Sequence, residues 1–203
     1  MDLTGDILNS YKTKMNDWEK NSIVRSSPES YHIDTDYFLN SREELSWHLP
    51  TYAPILQNEQ LKDLNHSQQQ YILGMQLLEF TDKTTRFEID YVNTVTADIA
   101  LGRYNFNLPD FIKLDAYKVY TDEGYHAYFS EKVSLQIHTI FNEDRLYSYV
   151  DKYFAKFTNV LNSVQLEDQY LVKLGIVFIS ETISKRYCGP NEWGCIQANS
   201  SNV

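Results

Sequence analysis

The chain has 203 residues, 42% hydrophobic and 23% charged, with only 7 Gly and 5 Pro. That makeup excludes a disordered or fibrous protein and fits one globular domain with a sizeable core. A formal charge of −10 without a basic patch excludes nucleic acid as a partner, because the negative field repels phosphate backbones.

In chain order, residues 1–20 predict a short amphipathic helix, with Ile7, Leu8, Tyr11, Met15 and Trp18 spaced for one face. This segment is charged from its start and no apolar run reaches membrane-spanning length, so neither a signal peptide nor a membrane span is expected, and the expected location is cytoplasmic. The stretch "NSIVRSSPESYHIDTD" reads as a connector, since Ser, Pro and Asp punctuate it. Residues 41–49 predict a brief helix, opened by Ser41 and Glu44 in capping-box spacing and closed by Pro50, with a turn from Pro50 to Pro54. From Ser67 to Leu101 there is no Pro and one Gly, and Leu77, Leu78, Phe80, Phe87, Tyr91, Val92, Val95 and Ile99 recur at helical spacing, which predicts one long helix. "GRYNFNLPD" breaks it. A second long helix is predicted from about Pro109 to Phe141, with Pro109 placed for a first turn. A third covers "RLYSYVDKYFAKFTNVL" and a fourth spans roughly residues 166–187. No repeat and no strand alternation appears, so the predicted class is all-α, a helical bundle over residues 1–187, with residues 188–203 as a disordered tail. Cys188 and Cys195 in that tail are neither a CxxC pair nor a disulfide framework and read as free thiols.

The second long helix contains "YTDEGYHAYFS", residues 120–130, with Glu123 three before His126. On a helix that spacing puts both side chains on one surface, where they can chelate one cation. The same spacing at Glu29 and His32 follows Ser-Pro in a stretch without helical period, and Asp63 and His66 flank a helix start; neither has the same meaning. A short connection makes the two long helices antiparallel. Glu88 lies fourteen residues before Gly102 and Glu123 fourteen after Pro109, so at about 1.5 Å per residue the two carboxylates come level. Residues around Glu88 such as Tyr91, Val92 and Val95 do not make a water-washed face, and a carboxylate there calls for a cation or hydrogen-bond donors. Glu181 stands equally alone in "LGIVFISETIS". The order helix Glu, helix ExxH, helix Glu is three quarters of a carboxylate-bridged dimetal site in a helical bundle.

On these residues the chain resembles a family. "TTRFEIDYVNTVT", "YTDEGYHAYFS" and "VFISETISKRY" are similar to the ligand helices of the AurF-like p-aminobenzoate N-oxygenases, non-haem di-iron oxygenases of ferritin-like fold, over roughly residues 40–187. The resemblance implies Glu88, Glu123, His126 and Glu181 as iron ligands, with Glu123 a candidate bridge. It implies iron as cofactor, with manganese also suited to the donor set, and dioxygen-dependent N-oxygenation of a small aromatic amine with an external electron donor. The family pattern continues with a helix bearing a second ExxH and a further His. After Tyr187 the chain reads "CGPNEWGCIQANSSNV", without His, so the expectation is a bundle that lacks its last ligand-bearing helix.

Plainer readings stand beside these. Asp122 either orients a ligand histidine or is a helix-surface Asp. Tyr117, Tyr120, Tyr125 and Tyr128 read as packing and rim residues rather than a radical path, and His48, His66 and His138 as structural or exposed. The alternative to an oxygenase is a metal-free helical scaffold or interaction protein derived from one. It would form a homodimer through the face that the last helix leaves open.

Overall fold

A computed structural model describes residues 15–22, 24, 32–33, 47, 53–104, 107–143 and 147–187. The protein is an all-α helical bundle, with no strand among the described residues. A single turn, α1 (Trp18–Asn21), precedes two 3-10 turns at Pro54–Gln57 and Glu59–Leu61. Then come α2 (His66–Phe87), a π-helical turn at Glu88–Val92, and α3 (Asn93–Ala100). Next are α4 (Asp110–Phe141), α5 (Tyr147–Asn162), a 3-10 turn at Leu166–Asp168, and α6 (Gln169–Tyr187).

The ends of the two long rods follow from local chemistry. Asn65 accepts from the Gln68 backbone N–H, and the Gln68 side chain accepts from the Asn65 N–H, each at 3.0 Å. This reciprocal cap starts α2. After Ala100 the chain turns through Gly102 at φ +63, in the left-handed region that glycine enters without a Cβ penalty. At the far end of α4, Asn142 adopts φ 52 while its N–H bonds the His138 carbonyl, a left-handed termination that Asn tolerates. The rods are antiparallel: Thr85 Oγ1 reaches the Ala127 carbonyl at 3.5 Å, Asp82 accepts from Ser134, and Tyr71 donates to Glu143 at 2.6 Å.

Two apolar clusters form along this pair. One joins Leu73, Leu77 and Leu78 of α2 to Phe129, Val133 and Ile137 of α4, under Trp47 and Ala53. The other joins Tyr91, Val92 and Val95 to Val150, Phe154 and Leu161 of α5 and Val177 of α6. The stripe on α5 thus faces the core as its spacing predicts.

The structure departs from the expected elements in four places, one being the π-helical turn at Glu88–Val92 that divides the helix predicted as one over residues 67–101. The predicted helix over residues 1–20 does not run through Met15–Asp17: a turn occupies residues 16–17 and a helical turn follows at Trp18–Asn21. Tertiary contacts hold that segment, since Lys118 Nζ donates to the Met15 carbonyl at 3.2 Å. Trp47, the described residue of the predicted helix over 41–49, is a buried bend residue. The fourth helix opens with a 3-10 turn, so its α-helical part starts at Gln169. Residues 1–14, the rest of 41–49, Glu29, His48, Pro50 and the tail 188–203 with Cys188 and Cys195 lie outside the described residues.

Gly74 marks the closest packing of the pair. A Cβ there would lie 2.3 Å from the Phe141 ring, which sits 5.1 Å from the Trp47 ring and 5.6 Å from that of Tyr71. Helix propensity alone would make Gly74→Ala stabilising by about 1 kcal/mol. Because the ring is hemmed in, we expect net destabilisation of ~1–2 kcal/mol in urea unfolding, and a gain in stability would contradict this packing.

Candidate metal centre

Glu88 opens the π-helical turn. Its N–H still bonds back to Thr84 and Thr85, but five residues on the Asn93 N–H bonds the Glu88 carbonyl. One residue is thereby inserted into the helix, a distortion that recurs at functional sites because it re-aims side chains. Here it leaves Glu88 pointing into the bundle at 7% exposure. Asn93 on the far side of the turn packs its Nδ2 against Gly124, where an added Cβ would be 3.5 Å away.

Opposite, α4 presents Glu123 and His126 together, with His126 Nδ1 2.7 Å from Glu123 Oε2. One ligand atom from each of Glu88, Glu123 and His126 lies within 4.8 Å of the others. The levelling of Glu88 with Glu123, predicted by counting from the connecting loop, holds despite the inserted residue. Burial, and then the negative charges of Glu123 and Glu181, push Glu88 up to about 9. Burial alone would lower His126, but its hydrogen bond to Glu123 and the charges of Glu123, Asp122 and Glu181 outweigh it, so the imidazole is raised. The Glu88 shift expresses burial first and neighbouring negative charge second, whereas the His126 shift runs against burial and expresses the Glu123 hydrogen bond and that negative charge.

Two buried oxygens, Glu88 Oε2 and Asn93 Oδ1, have no hydrogen-bond partner among the described residues. Buried polar atoms are seldom left so, and the two carboxylates and the imidazole that converge form a hard donor set that fits iron(II) or manganese(II).

Glu181, expected as the fourth ligand, is not in the converging group. It lies on α6, partly exposed, and its charge acts on both Glu88 and His126. The sequence order placed it on the correct side of the bundle without fixing its distance.

Asp122 is a tertiary anchor rather than a free surface residue: its Oδ2 accepts from the Trp18 indole N–H at 2.7 Å, across 104 residues of sequence. Burial raises its pKa, with Trp18 and His126 acting against that. Between the Trp18 turn and α4 lies a cleft of about 330 Å³ that reaches His126. Neither this cleft nor Asn93 had a signal in spacing, since both depend on chain segments meeting in space. The four tyrosines behave as rim and packing residues, with Tyr117, Tyr120 and Tyr128 exposed. His66 is exposed at the start of α2. His138 is buried with its Nδ1 2.8 Å from the Glu143 carbonyl and its Nε2 3.7 Å from Asp82, a structural role.

The Glu88 shift sets a pH dependence for the metal-free protein. An unfolded chain ionises Glu88 near the usual 4.5, whereas the folded one holds the proton to about 9. Stability therefore falls as pH rises through that window, by up to ~1.4 kcal/mol per pH unit. His126 acts in the same direction, since a raised imidazole stabilises the fold at low pH and loses that contribution as pH rises through its folded value. Urea midpoints measured with chelator at mildly acid and mildly alkaline pH should show the fall, and Glu88→Gln should flatten it. A profile that rises with pH would contradict the burial of Glu88.

In comparisons with family models, with curated proteins and with solved structures, nothing matches this chain.

Proposed function

We propose that the protein is a metal-dependent oxidoreductase that binds iron(II), or manganese(II), through Glu88, Glu123 and His126 and uses dioxygen to oxidise a small amine. The observation that carries this reading is the convergence of those three side chains within 4.8 Å around a carboxylate that is 7% exposed. Bound iron would supply the electrons for reduction of dioxygen. Glu88 and Glu123 would balance the charge of the metal, His126 would hold it by nitrogen, and the flanking apolar clusters would keep water out. Glu181, acting from α6, is the donor on hand for a second and weaker site, so the reading is one firmly held metal per chain within a ferritin-like arrangement. The resemblance noted above supports N-oxygenation of an arylamine with an external electron donor.

A second reading, a metal-free scaffold that self-associates, is favoured by one observation. Phe178 is 70% exposed on α6, and Leu171, Ile179 and Ile183 are exposed there as well.

Anaerobic iron(II) titration separates the two. The first reading predicts one tightly bound equivalent. Glu123→Ala and His126→Ala should each weaken binding by more than the roughly 10–100-fold that even an outer partner of a metal ligand costs, and Glu181→Ala should weaken it less. Metal at about 100 times its dissociation constant should raise stability by ~2.7 kcal/mol. Equal binding by wild type and both alanine variants would overturn the site.

A further inference from the structure

The cleft that reaches His126 has the volume of a small-ligand pocket. Its aromatic walls are Trp18 and Tyr125, with Met15 beside them, and its acidic walls are Asp17 and Asp122. No lysine or arginine lines it among the described residues. Lys118, the basic side chain that reaches this segment, is engaged elsewhere, at 3.2 Å from the Met15 carbonyl and 3.1 Å from Asp115. Trp18 occupies Oδ2 of Asp122, and the buried Oδ1 has no hydrogen-bond partner among the described residues.

Charge decides what such walls accept. A divalent metal would be balanced by Glu88 and Glu123, and no lysine or arginine among the described lining residues offsets Asp17 and Asp122 in a chain of net charge −10. A ligand bearing a carboxylate would meet like charge at close range. A cation would meet the field of two carboxylates, Asp17 exposed at the rim and Asp122 within, beside two aromatic side chains, a combination that suits ammonium groups.

We propose that this cleft binds a small organic cation, an ammonium or amidinium on a planar apolar body, with its charge against Asp17 and Asp122 and its body against Trp18 and Tyr125. The inference rests on the metal-centre reading only for what happens to the ligand, not for its binding. It departs from an arylamine substrate, whose nitrogen is uncharged at neutral pH. A protonated nitrogen has no lone pair to offer, so here it is the handle by which the ligand is held.

The test is calorimetric titration of the metal-free and the iron(II)-loaded protein with phenethylamine and benzamidine, against phenylacetate and benzyl alcohol as anionic and neutral partners of similar size. The cations should bind about tenfold more tightly than the anion, and Asp17→Asn should weaken them several-fold. Asp17→Asn combined with Asp122→Asn should abolish the preference. The amide at 122 still offers an oxygen to the Trp18 indole, and an unshifted indole N–H resonance in that variant would show the segment still docked. Absence of detectable cation binding, tighter binding of phenylacetate, or a preference that survives the double variant would overturn the proposal. Iron binding without cation preference would sink the cleft assignment alone. Cation preference without iron binding would sink the metal centre and leave the cleft standing.

Discussion

A carboxylate inside a packed helical bundle must be given a proton or a cation, and Glu88 is the point at which this protein meets that requirement. The oxygen cannot be satisfied by its own helix, because every backbone donor there is already used or faces along the axis. It faces a second carboxylate, Glu123, and a third charge acts from Glu181. Without metal the solution is a retained proton. A cation shared by Glu88, Glu123 and His126, as we propose, would meet the same requirement.

The fold is arranged around that point. Apolar clusters lie on either side of it, Leu73 to Ile137 in one direction and Tyr91 to Val177 in the other. Tyr91 is stacked at 5.6 Å on both Phe87 and Phe154, which fixes α5 against the π-helical turn. Arg86 reinforces that contact by pairing with Asp90 at 3.0 Å and with Asp151 of α5. The polar centre therefore sits between rigid walls in a low-dielectric setting, where charge interactions are stronger than in water. The N-terminal turn closes a further side through Trp18 and Asp122, and a ligand-sized cleft beside it reaches the histidine.

How much of this was legible in the sequence depended on whether the information was local. Helices α2 to α6 followed from apolar spacing and from punctuation by Gly102 and Pro109. The approach of Glu88 to Glu123 and His126 followed from helix rise and one short loop. The π-helical turn left no mark, since inserting one residue into a helix changes no residue type. Trp18 read as a position on a longer amphipathic helix, because its partner Asp122 is 104 residues away. Glu181 was assigned to the site by its lone place in an apolar run, by helix order and by resemblance, none of which sets the depth at which α6 packs.

The most direct test is anomalous diffraction from crystals of the protein loaded with manganese(II). The account predicts a single strong anomalous peak between α2 and α4, within bonding distance of Glu88, Glu123 and His126, with the Glu88 carboxylate turned towards it. A peak elsewhere, or an ordered site in which Glu88 stays protonated against Glu123 with no metal between them, would contradict it.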